Sequence, residues 1–197
     1  MLTSHGFVRI IAGLAAGLLV SLAPLPAIAA EKSSLVLVLR HAIAPGGGDP
    51  PGFDVNDCST QRNLSQEGRQ QSKAIGRALE ALDIRPTQIW SSRWCRALDT
   101  AKYMGLGPVQ PLPALDSFFA DRAKGPAQMQ QLRAFLRELD PKGGPYVMTT
   151  HQVVVSALAN TWVNSGDGVW LVLSGQDDEP WTIYPAITAN LELPPGF

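Results

Sequence analysis

The spacing of apolar residues changes period several times along this chain. Leu35 to Leu39, LVLVL, is apolar at every position, the pattern of a strand covered on both faces. From Leu64 to Leu82 the spacing turns helical: Ala74, Ile75, Ala78, Leu79 and Leu82 share a face, Ser65 stands where a cap is needed, and Pro86 marks the end. Thr87 to Ser91 reads as a second strand. It runs into SRWCRALDTAKYM, a helix with Ser92 as its expected cap, Ala97, Leu98, Ala101 and Met104 inward, and Gly105 as its stop. Pro126 suits a first helical turn, and Met129, Leu132, Phe135, Leu136 and Leu139 follow at helical spacing up to Asp140-Pro141. PYVMTT is strand-like. QVVVSALANTW is rich in β-branched residues but helical by length and context, and GVWLVL and PWTIYPAI close the chain as strands. Strands alternating with helices predict an α/β fold, a three-layer α/β/α sandwich with a mostly parallel central sheet.

Ahead of Leu35 the pattern is of another kind. Arg9 precedes an uncharged run from Ile10 to Val20, and PLPAIAAE follows with small residues at the spacing a signal peptidase reads. The uncharged core, about ten to fifteen residues, falls short of the roughly twenty that span a bilayer. Residues 1–30 are therefore expected to be a secretory signal peptide cut near Ala29 or Ala30. Residues 31–197 then form one domain, periplasmic or secreted, with no stable membrane insertion after cleavage.

The formal net charge is -1, and residues 31–197 hold no Lys/Arg run, so a nucleic-acid partner is not expected. A small ligand is. Cys58 and Cys95 are the only cysteines. In an oxidising compartment such a pair reads as a candidate disulfide, or else as two unpaired buried thiols. PGGGDPPG, from Pro45 to Gly52, is a loop; Gly46 to Gly48 read as flexible rather than as a phosphate cradle, since no Lys/Thr-helix pattern accompanies them.

In an open α/β sheet, ligands bind beyond the carboxyl ends of the strands. The first strand delivers Arg40 and His41 there. The second delivers Ser91 and Ser92, with Arg96 a turn later, and YVMTT delivers His151. This is a set of groups for a phosphoryl ligand: guanidinium forks match phosphate oxygens, and helix starts after Ser92 and His151 direct N–H groups the same way. A neutral imidazole can attack phosphorus, forming phosphohistidine, while guanidinium groups and a second histidine hold the equatorial oxygens. No cofactor is expected, and no metal-ligand cluster is seen in residues 31–197. A phosphate-binding module without turnover and a zinc hydrolase using His41, His151 and a carboxylate are the competing readings.

These residues carry a resemblance. Arg40-His41 after an apolar strand resembles the RHG signature of the histidine phosphatase superfamily, whose fold is phosphoglycerate mutase-like. LSQEG, SRWCRALDTA and TTHQ resemble its L-[ST]-x-x-G, S-x-x-x-R-A-x-x-T-A and second-histidine motifs, in that order. The resemblance, to a branch 1 type member, implies a phosphoric monoester hydrolase with His41 as phosphoryl acceptor and Arg40, Arg96 and His151 binding phosphate. Ala42 and Gln152 replace glycines of the pattern. Ser117 stands where the family's glutamate proton donor is often found, which leaves Asp116 as the first candidate acid and Asp121, Asp57 and Asp49 behind it. The expected substrate is a small phosphomonoester, envelope sugar phosphates included; the family also admits a phosphohistidine protein. Arg62 and Asn63 could reach the substrate from their loop, with a solvated surface role expected for Arg62. Trp94 lies close enough to Arg96 to line a pocket, and the other tryptophans are expected in core or rim packing.

Overall fold

The computed structural model describes residues 1–2, 32–176 and 178–197. The expected signal peptide falls almost wholly outside the described residues. Among those described, no helix is long and apolar enough to cross a membrane.

Among the described residues, six strands and four helices follow in the order β1 (Leu35–Arg40), α1 (Gln66–Ala81), β2 (Gln88–Ser91), α2 (Cys95–Met104), β3 (Val109–Pro111), α3 (Gly125–Arg137), β4 (Tyr146–Thr150), α4 (Gln152–Ala159), β5 (Gly168–Leu173) and β6 (Trp181–Ala186). They build one sheet in the order β3-β2-β4-β1-β5-β6. β1 and β2 both run parallel to β4, and β3 runs parallel to β2; β5 is antiparallel to both β1 and β6. The sheet is thus mixed with a parallel centre, and β1 lies next to β4.

The uninterrupted apolar run of β1 is explained by two cores. Leu35, Leu37 and Leu39 turn toward Ile75 and Leu79 of α1 and Ala101 and Met104 of α2. Val36 and Val38 turn the other way, toward Leu132 and Leu136 of α3 and Val154 and Leu158 of α4. Side chains alternate across a strand, so a strand between two helix layers needs apolar residues at both parities. Each fully buried Leu or Val contributes roughly 1.5–3 kcal/mol by burial.

The inner face of α1 differs in detail from the sequence expectation. Gly68, Ser72, Ile75, Gly76 and Leu79 are buried, while Ala74 faces solvent. The glycines permit close approach: a Cβ on Gly76 would stand 2.0 Å from the Met104 carbonyl oxygen, and one on Gly68 equally close to that of Ile43. Ser65 caps α1 as expected, accepting from the Gly68 amide at 3.0 Å. Ser92 does not cap α2, which begins at Cys95 after Trp94; its hydroxyl serves the site described below. The sequence pattern also missed β3. Three residues ending in Pro111 carry almost no periodic signal, and proline is tolerated there because β3 is an edge strand.

Candidate active site

The parallel centre of the sheet brings the charged strand ends together. The His41 amide donates to the Thr150 carbonyl at 2.8 Å, and the Ser92 amide to that of Thr149 at 2.9 Å. His41 and His151, each one residue past the end of its strand, therefore stand side by side, with ring centroids 5.5 Å apart. Both line a cavity of about 510 Å³ together with Arg40, Arg62, Arg96 and Arg122.

Each histidine is fixed by a neighbour. The Nδ1 of His41 lies 2.8 Å from the carbonyl oxygen of Ala42, which can only accept, so Nδ1 carries the proton and the Nε2 lone pair is free. Burial lowers the His41 pKa to about 3, with Arg96, Arg62 and Arg40 adding to the effect and the Ala42 contact opposing it. The ring is neutral at physiological pH. His151 is also held well below the usual histidine range, first by burial and then by His41 and the same arginines. Its Nε2 shares a hydrogen bond of 2.8 Å with the Ser92 hydroxyl, which also lies 3.2 Å from Asp116 Oδ1. A carboxylate oxygen accepts, so Ser92 donates to Asp116 and receives the Nε2 proton of His151.

Among the described residues, three buried side-chain nitrogens have no hydrogen-bond partner: Arg40 Nε, Arg96 Nε and His151 Nδ1. All three belong to residues lining the cavity. Buried polar atoms are nearly always paired, so this cluster is chemically specific. The rest of Arg40 is held by the Val163 carbonyl at 2.9 Å, and its guanidinium lies over the Trp162 ring, 5.6 Å from the centroid. Arg96 is 2 % exposed. It is braced through α2, where the amide of Cys95 donates to Gln61 and a disulfide joins Cys95 to Cys58.

Arg40, His41, Arg96 and His151 are thus brought together as the sequence led one to expect. Asp116 is not with them. It is buried off the cavity lining, and its carboxylate accepts from Ser92, from the Arg93 amide at 2.8 Å, and from Arg93 Nε and Nη2 at 2.8 and 2.5 Å. The reason lies in the 3-10 turn Pro113–Leu115, which directs Asp116 back toward the start of α2. Asp57 caps the short turn Cys58–Thr60 through the Ser59 amide, and Asp121 pairs with Lys124 at 3.3 Å. Asn63 turns away as well, donating to the Cys58 carbonyl.

Other residues proved more central than their sequence context indicated. Arg62 is no solvated surface charge: it lines the cavity and ties the glycine loop down, donating through Nε to the Gly48 carbonyl at 2.8 Å and through Nη1 to that of Ala44. Gly46 to Gly48 also line the cavity. Trp94 does so too, stacked on Phe53 with centroids 5.0 Å apart. Trp162, 73 % exposed, and Phe119, 54 % exposed, stand at the rim. The sequence signal for Arg62 was its place two residues before LSQEG, at the mouth of a loop that must return to the strand ends.

A family model for the histidine phosphatase superfamily (branch 1) matches residues 56–141, which hold the LSQEG and SRWCRALDTA motifs. No curated protein matches the sequence significantly. Solved structures share the fold over much more of the chain. The protein histidine phosphatase SixA, complexed with tungstate, is 18 % identical, covering 80 % of this chain and 99 % of its own, with a TM-score of 0.60. A phosphoserine phosphatase from Entamoeba histolytica in complex with 3-phosphoglyceric acid is 12 % identical, covering 76 % and 94 %, with a TM-score of 0.57. A mycobacterial glucosyl-3-phosphoglycerate phosphatase complexed with VO3 is 19 % identical, covering 78 % and 98 %, with a TM-score of 0.55. Over residues 56–141 the chain thus matches the histidine phosphatase superfamily (branch 1), and its α/β fold is that of the solved histidine phosphatase structures.

Proposed function

We propose that the protein is a metal-independent phosphatase that hydrolyses a small phosphomonoester through a phosphohistidine on His41. The observation that carries this reading is the unprotonated Nε2 of His41 beside three unpartnered buried nitrogens of Arg40, Arg96 and His151. A phosphoryl group supplies oxygens for those nitrogens and an electrophile for that lone pair. The arginine forks stabilise the charge on the equatorial oxygens as the P–N bond forms. His151, neutral in the free protein, gains a proton when a dianion enters, because an adjacent negative charge favours the imidazolium. Water then hydrolyses the phosphohistidine and releases inorganic phosphate.

The cavity volume of about 510 Å³ falls within the range of roughly 300–1,000 Å³ typical of small-molecule sites and leaves room well beyond a phosphate. The polar and aromatic side chains Ser117, Gln152, Ser156 and Trp162 that share its lining suit a hydroxylated group of sugar size. The Cys58–Cys95 disulfide and the leader-like run before Leu35 support action outside the cytoplasm, in the periplasm or the medium. The natural leaving group is accordingly sought among exported or envelope phosphomonoesters.

The test is hydrolysis of p-nitrophenyl phosphate with chelator present, by wild type and by His41→Ala. Turnover in wild type, its loss in the variant, and an acid-labile phosphoprotein trapped only in wild type are expected. A folded wild type without turnover overturns the reading in favour of a binding module, and loss of turnover on chelation overturns it in favour of a metal hydrolase.

A further inference from the structure

Of the described residues that line the cavity, Asp49 is the only carboxylate. It comes from the loop between β1 and α1. Its Oδ1 and Oδ2 accept from Nη1 and Nη2 of Arg96 at 2.5 and 3.1 Å, and Trp94 Nε1 donates to Oδ2 at 2.9 Å. The other candidate acids have structural partners away from the lining: Asp116 on Ser92 and Arg93, Asp57 on Ser59, Asp121 on Lys124.

The geometry has two consequences. A guanidinium fork binds a carboxylate and two phosphate oxygens in the same way; Asp49 holds Nη1 and Nη2 of Arg96 and leaves Nε unpartnered, so a phosphoryl group that takes Nε together with Nη2 competes with the carboxylate. Two anions cannot share that fork without strong repulsion, and the incoming phosphate dianion displaces the singly charged carboxylate. Asp49 follows Gly46 and Gly48 and precedes Gly52, all at positive φ, so its carboxylate is carried by glycine-rich backbone of wide conformational freedom even though Arg62 holds the Gly48 carbonyl. In the free protein, burial pushes the Asp49 carboxyl up, but hydrogen bonds from Arg96 and Trp94 outweigh it and hold the group below the usual carboxylate range. It is then ionised and cannot donate. Once Arg96 has passed to the phosphate, Asp49 loses its cation and faces a dianion, and both changes favour the protonated acid.

We propose that Asp49 is the general acid of the reaction, armed by the substrate that takes its place on Arg96; this rests on the phosphatase reading above. The Nε2 lone pair of His41 forms the P–N bond as the P–O bond to the leaving group breaks, and the departing oxygen takes the proton from Asp49. In the second half, water attacks phosphorus, its proton passes to the Asp49 carboxylate, and the P–N bond returns its electron pair to Nε2. The proton taken up on binding leaves with product, when Arg96 and Asp49 pair again.

The experiment compares p-nitrophenyl phosphate, whose leaving group departs unaided, with glycerol phosphate, whose alkoxide does not. In Asp49→Asn, kcat/KM for glycerol phosphate is expected to fall by about 10²–10⁴-fold, the usual contribution of a positioned acid, and that for the aryl ester by under about 10-fold. Tungstate is expected to bind the variant several-fold more tightly, its rival for Arg96 having lost its charge. Equal losses with both esters, or none with glycerol phosphate, overturn the proposal. A series of aryl and alkyl phosphates on wild type provides a check independent of the variant's folding: weak dependence of kcat/KM on leaving-group basicity supports an acid, and steep dependence overturns it. A wild type inactive on both esters refutes the phosphatase reading itself, which separates that failure from the failure of Asp49 alone.

Discussion

The Ser92 hydroxyl stands between His151 and Asp116, 2.8 Å from Nε2 of the first and 3.2 Å from Oδ1 of the second. A buried carboxylate thereby orients a histidine of the cavity without touching the cavity itself.

Asp116→Asn should disturb that orientation for every substrate alike. A misplaced phosphate ligand costs up to about 10²-fold in kcat/KM, and the aryl and alkyl esters should lose equally. Steady-state kinetics with both esters checks this, and a loss confined to the alkyl ester would return the proton-donor role to Asp116. Asp116→Ala also strips the Ser92 hydroxyl and the Arg93 amide of their acceptor, at a cost to stability of about 1–3 kcal/mol readable by urea unfolding.

The low pKa of His41, about 3, predicts that no ionisation of this residue limits kcat/KM between pH 5 and 8. A change in rate near pH 6 should instead follow the second ionisation of the substrate phosphate, which lies at about 6. Imidazole ¹⁵N shifts should show the Nδ1–H form of His41 throughout that window. Stability follows the same shift. The unfolded chain binds the proton first as pH falls below about 6.5, so the contribution of neutral His41 is complete above that value and is lost as pH falls toward 3. Urea midpoints measured against pH should decline over that interval for wild type and less for His41→Asn.

Removing the disulfide should loosen the loop that carries Asp49 and Arg62. Cys58 and Cys95 are 37 residues apart in sequence, a closure that stabilises by roughly 3–4 kcal/mol in the chain-entropy account. The Cys58→Ser, Cys95→Ser double variant should lose about that much in chemical denaturation and bind tungstate more weakly. Unreduced wild type should show no titratable thiol.

Gly76→Ala tests the packing of α1 on α2. The added methyl meets the Met104 carbonyl at 2.0 Å, where backbone must give way, and overpacking of this kind costs about 1–3 kcal/mol. At about 2–4 °C per kcal/mol for a domain of this size, calorimetry should record a drop of several degrees.

The strands other than β3, the helices α1 to α4 and the meeting of His41 with His151 were legible because they follow from local pattern plus one topological rule. LVLVL has no polar parity, so it required two helix layers, and both histidines stand immediately after strands that came to lie side by side. What could not be read was which carboxylate faces which arginine. Asp49 and Asp116 each stand in unpatterned loop sequence, and their opposite placements are decided by long-range partners, Arg96 across 47 residues and Ser92 across 24. Arg62 was underrated for the same reason: its contacts with Gly48 and Ala44 exist only once the loop has folded back. Ala74 was misplaced because glycine and serine, not alanine, form the tightest part of the α1 face.

The backbone bond between His41 and Thr150 ties β1 to β4 in the middle of the sheet, whereas Trp162, Phe119, Ser117 and the glycine run all reach the cavity from connecting segments. On the proposed function, the phosphate-binding groups at the strand ends and the rim that meets the leaving group are therefore carried by separable parts of the chain, Asp49 alone belonging to both. The rim can be rebuilt, by drift or by design, to accept a different ligand while the paired histidines and their arginines stay in register. A library confined to residues 45–48, 50–53, 117–122 and 161–164, with Asp49 kept, is the place to look for altered substrate range.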